Sequence, residues 1–152
     1  GLAPNPVTVV VTASGEIDLD HAGLADPDVP VLIVTTSDGA SRLAARRPRA
    51  HVEVAAAGAD RVEAAALVHA LHERGFELVV CEGGPHLFGE LLAAKLVDEL
   101  FLTIAPQIAG RASGTHRLAL VAGAAFDADG APWGRLIGLR QAGDHLFARY
   151  RF

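Results

Sequence analysis

The stretch Leu78-Val79-Val80-Cys81-Glu82-Gly83-Gly84-Pro85-His86-Leu87 holds the residue types with the most chemical promise in this 152-residue chain. Its apolar start predicts a buried strand over 78–81. Gly83 and Gly84 then let the backbone turn tightly and let a ligand approach without meeting a Cβ. Pro85 suits the first turn of a helix, where its missing N–H is not needed. The free N–H groups of that turn, together with the helix dipole, favour an anion. Gly83 to Leu87 therefore read as a diphosphate cradle at the carboxyl end of a sheet strand, where open α/β sheets bind ligands. A plain strand-to-helix turn fits the same residues, because the pattern is neither a Walker A motif nor a full Gly-x-Gly-x-x-Gly. Glu82 lies on the ligand side of the turn. Beside a diphosphate its charge is repelled, so it is better suited to accepting hydrogen bonds from an uncharged polar substrate; a solvated glutamate is the plainer alternative.

Other residues carry weaker signals. Cys81 sits where a nucleophile elbow would place its nucleophile. The glycine expected two residues earlier is replaced by Val79, so a small, half-buried core thiol is the better reading. His69 and His72 have a spacing that can share a metal, but no third ligand lies nearby and a solvated helix flank explains them. Asp98 and Glu99 read as turn residues between a helix and a strand rather than a catalytic pair. Arg46, Arg47 and Arg49 could meet a phosphate, with a surface loop around Pro48 the plainer alternative. No catalytic nucleophile and no metal site is expected.

The elements that must position these residues alternate. Val7 to Val11 is β-branched and apolar and reads as an interior strand, followed by Thr12-Ala13-Ser14-Gly15. Residues 15–30 are rich in Asp, Gly and Pro and read as loop, after which 31–34 is a second buried strand ending at Thr35-Thr36-Ser37. A short helical stretch stops before Pro48, and 51–54 is a short strand. The clearest helix spans 60–74, with Val62, Ala66, Leu67, Ala70 and Leu71 on one stripe and Gly75 as its stop. Gly83-Gly84-Pro85 opens a further helix, a strand follows at 100–104, and 107–134 is mostly loop. Residues 135–141 and 145–152 form a hairpin. The whole reads as one α/β domain with a mixed sheet.

Composition excludes several classes. Hydrophobic residues are 51% and charged residues 20% of the chain, enough for a sizeable core. A net charge of −5 disfavours nucleic-acid and anionic-membrane partners. The single cysteine cannot form an internal disulfide, and no apolar run approaches the ~20 residues that span a bilayer. No secretory signal is visible. These readings point to a soluble, cytoplasmic domain. The absence of methionine and the opening Gly1-Leu2-Ala3-Pro4 suggest a processed chain or part of a longer one.

From Cys81-Glu82-Gly83-Gly84-Pro85, through the helix to Leu96-Val97-Asp98-Glu99-Leu100, and on to Ala105-Pro106 and Gly110, the chain resembles the pyrimidine reductases of riboflavin biosynthesis and the C-terminal domains of bifunctional deaminase-reductases. The ending Leu146-Phe147-Ala148-Arg149-Tyr150 fits the same family. The resemblance implies a dihydrofolate-reductase-like fold: a mostly parallel mixed sheet, flanked by helices, with a C-terminal antiparallel hairpin. It implies NADPH as cofactor and reduction of a ribosylaminopyrimidine by hydride transfer to C1′. By the same resemblance Glu82 meets the substrate, Gly83, Gly84, Pro85, His86 and Leu87 wrap the cofactor diphosphate, and Ser14 lies beside its adenosine half. Thr35 and Thr36 could serve that half too. The family further implies a homodimer and an N-terminal strand and helix ahead of residue 1. The 152-residue chain is accordingly expected to be inactive alone, and to aggregate, to pair with another copy or to remain associated with its own N-terminal segment. The alternatives are a non-catalytic nucleotide-binding or dimer-completing fragment, or a reductase of another pyrimidine or folate-like compound.

Overall fold

The structure is a computed structural model that describes residues 5–108, 110, 113–114 and 119–152. Part of the expected opening (1–4) and positions 109, 111–112 and 115–118 of the expected loop lie outside the described residues. The chain forms two compact units, Gly1–Leu78 and Val79–Phe152.

In the first unit, β1 (Thr8–Val11), β2 (Val31–Thr35) and β3 (Val52–Ala56) lie side by side in that order, all parallel. Parallel neighbours need crossover connections. The second crossover carries α2 (Ser37–Ala45). The first carries α1 (Ala22–Ala25), a single turn within the stretch expected to be loop, capped by His21 Nδ1 accepting from the Gly23 N–H at 3.1 Å. β2 is buried along its whole length. Val31 and Ile33 pack with Leu24 and Leu43, and around them gather Val10, Ile17, Leu19, Val52 and Val54. Full burial of a side chain such as Leu43 contributes about 1.5–3 kcal/mol.

Leu32 and Val34 face the other side, because side chains alternate along a strand. Glu53 stands in register with Leu32 and so shares that side. The Arg74 guanidinium donates to Glu53 Oε1 at 2.6 and 3.0 Å. Arg74 follows α3 (Ala64–His72), whose Ala64, Leu67 and Leu71 are buried. The helix is shorter than the 60–74 pattern predicts, since Glu63 is extended at its start; Gly75, at φ +78°, ends it as expected. Among the described residues β1 pairs with β2 alone and is half-buried at all four residues, so the second neighbour expected for an interior strand is not among them.

The second unit holds α4 (Pro85–Ala93), β4 (Glu99–Ile104), β5 (Arg135–Ala142) and β6 (His145–Arg151). The strands form a separate antiparallel sheet in the order β4-β6-β5. The mixed parallel and antiparallel α/β character is as expected, but it is distributed over two three-stranded sheets. The expected strand at 78–81 is absent: residues 76–84 are irregular, and Leu78, Val79 and Val80 are 86%, 47% and 75% exposed. Apolar composition favours a strand only where a neighbour supplies hydrogen bonds and a packing surface, and among the described residues none pairs with this run.

On one face of the β4-β6-β5 sheet, Glu99 is opposite Arg151, and Phe101 is opposite Arg149. Arg149 Nε and Arg151 Nη2 donate to the Glu99 carboxylate at 2.6 and 2.9 Å, and the Arg149 guanidinium lies 5.2 Å from the Phe101 ring centre. The hydrogen bonds from Arg151, then from Arg149, hold the Glu99 carboxyl below its ordinary pKa of 4.5. A carboxylate with a depressed folded-state pKa adds stability above its unfolded value and loses it as pH falls through the folded value. Glu99→Gln should therefore lower the urea midpoint at about pH 7, while the gap between variant and wild type should close as pH falls through the lowered pKa of Glu99. Chemical denaturation across that range checks it; a gap of constant size would show that the charge contributes nothing.

Candidate functional site

The sequence-predicted residues fall into two groups, one in each unit. In the first unit they gather where β1 and β2 end. Thr35 and Thr36 are buried, and both direct their hydroxyls to the carbonyl of Ala13, at 3.4 and 2.8 Å. Thr36 Oγ1 also accepts from the Gly39 N–H at 3.1 Å and so caps α2. One carbonyl thus anchors the turn that carries Ser14 to the start of α2. Ser14 is exposed; its Oγ accepts from the Glu16 N–H at 3.1 Å and keeps its own hydrogen for another partner. Thr35 is 0% exposed, so it can act on a bound molecule only through the backbone it holds.

Two glycines make this arrangement possible. A Cβ on Gly39 would lie 2.1 Å from Thr35 Oγ1 and 3.2 Å from the Gly15 nitrogen. Gly15 is at φ +69°, and a Cβ there would lie 2.7 Å from the Gly39 oxygen. The turn after β1 therefore rests directly on the backbone of α2. Composition alone did not reveal this pairing, although an isolated glycine inside a short helix was a usable signal.

In the second unit, Glu82, Gly83, Gly84 and His86 are exposed, Pro85 and Leu87 are half-buried, and Pro85 opens α4 as expected. Gly84 is the N-cap, with φ −64° and ψ 173°, a conformation open to any residue. A Cβ on Gly84 would meet nothing within 4 Å. Neither backbone strain nor packing requires glycine here, and the favoured caps Ser, Thr, Asp and Asn are all passed over. Gly83 differs: its Cβ would lie 2.8 Å from Leu87 Cδ2, so Leu87 underlies the turn. Pro85 has no N–H, and among the described residues the amides of His86 and Leu87 have no acceptor. Two unengaged donors beside a Cβ-free space suit the oxygens of an anion.

The remaining candidates are placed elsewhere. Cys81 is exposed, which corrects the half-buried core thiol; the missing strand explains it, since no strand among the described residues pairs with the run that carries it. His69 pairs with Glu73 at 3.2 Å. Among the described residues, no group of three His, Cys, Asp or Glu side chains could hold a metal ion. Arg46 donates to the Ile17 carbonyl at 2.6 Å. Arg49 reaches the Ala25 carbonyl at 3.1 Å and Asp20 at 2.8 Å. These two arginines hold the 17–25 segment, a role their spacing did not disclose. Glu99 belongs to the arginine cluster of the antiparallel sheet.

The profile of the RibD C-terminal domain matches residues 2–126. The chain is 39% identical over 106 residues to the 2,5-diamino-6-ribosylamino-4(3H)-pyrimidinone 5′-phosphate reductase of Methanothermobacter thermautotrophicus, covering 70% of this chain and 48% of that protein. It is 35% identical over 116 residues to the protein of the same name from Archaeoglobus fulgidus, covering 76% and 52%. The chain thus spans about half the length of the curated relatives it matches. Among solved structures, a pyrimidine reductase-like protein of Corynebacterium diphtheriae matches with a TM-score of 0.69 and 25% identity, over 96% of this chain and 60% of that one. A Thermotoga maritima deaminase/reductase matches with a TM-score of 0.73 and 20% identity, over 96% and 37%. These neighbours bear out the dihydrofolate-reductase-like fold that the resemblance implied.

The two kinds of glycine should separate in stability measurements. Gly39→Ala overpacks a buried contact and should destabilise by about 1–3 kcal/mol. Gly84→Ala should stay within about 0.5 kcal/mol of wild type. Equilibrium denaturation of both variants is the check, and a large loss at Gly84 would mean that the space there is needed by the fold.

Proposed function

This chain belongs to the RibD C-terminal domain family, and from that premise we propose that it is the reductase portion of a protein that reduces a ribosylaminopyrimidine with NADPH. The observation that carries the proposal is Gly84, a glycine that neither its conformation nor its neighbours require. It is followed by two donors without acceptors. That arrangement fits a dinucleotide diphosphate, which needs close backbone approach and N–H groups aimed at its oxygens.

In this reading the amides of His86 and Leu87 hold the diphosphate, with Leu87 supporting the turn from beneath. The exposed Ser14 hydroxyl serves the adenosine half. Thr35 and Thr36 keep Ser14 in place through the Ala13 carbonyl. Glu82, exposed just before the glycines, accepts hydrogen bonds from the polar sugar side of the substrate. When bound, NADPH supplies the hydride that converts the ribosylamino group to ribitylamino at C1′. Hydride transfer asks no nucleophile or metal of the side chains; their contribution is positioning. We include in the proposal a single reductase-type domain, a homodimer and a cytoplasmic setting. No described helix is long and apolar enough to cross a membrane.

Two substitutions, made in the full-length protein, separate cofactor from substrate. Gly84→Ala should weaken NADPH, read by nicotinamide fluorescence, with little change in melting. Glu82→Gln keeps shape and loses charge; removing a charge-assisted hydrogen bond typically costs about 1.5–3 kcal/mol, so turnover of the ribosylaminopyrimidine should fall roughly ten- to a hundredfold while NADPH affinity holds. Unchanged NADPH affinity in Gly84→Ala would sink the cradle, and equal losses of binding and turnover in Glu82→Gln would remove Glu82 from the substrate.

A further inference from the structure

We infer that the segment Val121–Ala124 is a positioning strap that sets the aim of the His86 and Leu87 amides, so that cofactor affinity depends on residues that never touch the cofactor. The inference rests on the diphosphate reading above and adds to it an element that neither the glycine turn nor the family resemblance identified.

The strap meets α4 at three places. The Ala122 N–H donates to the Pro85 carbonyl at 3.1 Å. Gly123, at φ +77°, lies so that a Cβ would stand 3.2 Å from His86 Cδ2. Gly89 is buried, and a Cβ there would lie 2.8 Å from the Ala122 oxygen, 3.1 Å from Val121 Cγ1 and 3.5 Å from Ala124 Cβ. Positions 85, 86 and 89 form one side of the first helical turn, since residues four apart share a face. Glycine in a helix interior is unfavourable by roughly 0.5–1 kcal/mol relative to alanine. Here it has a packing reason: only the bare Cα lets the strap's backbone come this close.

The first turn of α4 is therefore held from two directions. Leu87 lies under Gly83, and the strap grips Pro85, His86 and Gly89. A helix start with neither support could rotate or fray, because its first amides have no intrahelical partners. With both supports, the two free amides point in one direction before any ligand arrives, which removes an ordering cost from binding.

The nearest obstacle to a Cβ on Gly89 is backbone, which cannot swing aside as a side chain can. Gly89→Ala must push the strap off α4 or tilt the helix. Misaimed amides lose the charge-assisted hydrogen bonds they would donate to the diphosphate, so NADPH affinity should fall at least about tenfold. Gly123→Ala, at an exposed position, should act in the same direction and decides the matter if Gly89→Ala does not fold. Leu91→Ala is the control: Leu91 is buried on the same helix and takes no part in the three strap contacts named above, so its truncation tests general destabilisation.

The experiment is a nicotinamide fluorescence titration of wild type, Gly84→Ala, Gly89→Ala, Gly123→Ala and Leu91→Ala, each carried in the full-length protein proposed above, with amide hydrogen exchange at residues 86–88 of the unliganded proteins. The strap variants should bind NADPH more weakly and exchange faster at residues 86–88. In turnover they should raise KM for NADPH with kcat little changed, since the lost interaction is the same in ground and transition states. If wild type and Gly84→Ala differ but Gly89→Ala and Gly123→Ala bind as wild type does, the strap is refuted and the cradle stands. If Leu91→Ala weakens NADPH as much as Gly89→Ala, general destabilisation explains the effect and the strap is again refuted. If wild type does not bind NADPH, the reading of the site fails and the strap falls with it.

Discussion

A strand with no solvent on either face must have both edges hydrogen bonded and both sides covered, and the first unit follows from meeting that demand for β2. Its amide and carbonyl groups are matched by β1 and β3. One side is closed by Leu24 and Leu43, and Arg74 ties the end of α3 to the other through Glu53. At the carboxyl end the apolar run gives way to two buried threonines. Buried hydroxyls require acceptors, and both find the Ala13 carbonyl. The turn carrying Ser14 is therefore fixed by the same condition that builds the core.

Much of this was legible in the residues. β-Branched runs marked β1, β2 and β3, the apolar stripe marked α3, and Pro85 and Gly75 marked a helix start and a helix stop. Each is a local preference that the structure leaves in force. The run at 78–81 was misread because a strand is a relation between segments: Leu78, Val79 and Val80 have the right side chains but no neighbour among the described residues. The same limit explains Cys81, whose expected burial depended on that strand. Arg46 and Arg49 were weighed only as a phosphate contact or a surface loop, because carbonyl acceptors 29 and 24 residues away leave no mark in a local pattern. Of the candidate site, the turn and its proline were visible, while the support beneath and beside it was not.

Glycine illustrates why residue type and role must be separated. Gly15 answers a backbone conformation together with a close approach, Gly39 and Gly89 answer close approaches alone, and Gly84 answers neither. A sequence presents all four alike. Placing a Cβ on each one distinguishes the three structural glycines from Gly84, where it would meet nothing within 4 Å.

The exposed apolar run has a consequence for solubility. Leu78, Val79, Val80 and Cys81 are uncharged, contain no proline and have no ladder partner among the described residues, which are the features of a segment that templates cross-β stacking. Glu77 and Glu82 bracket it directly. In a parallel, in-register stack each glutamate would face copies of itself about 4.8 Å away, so the charges act as gatekeepers against growth. Glu82 is thereby constrained from two directions: by the substrate proposed for it, and by the need to keep an unpaired hydrophobic strip from finding itself in another molecule.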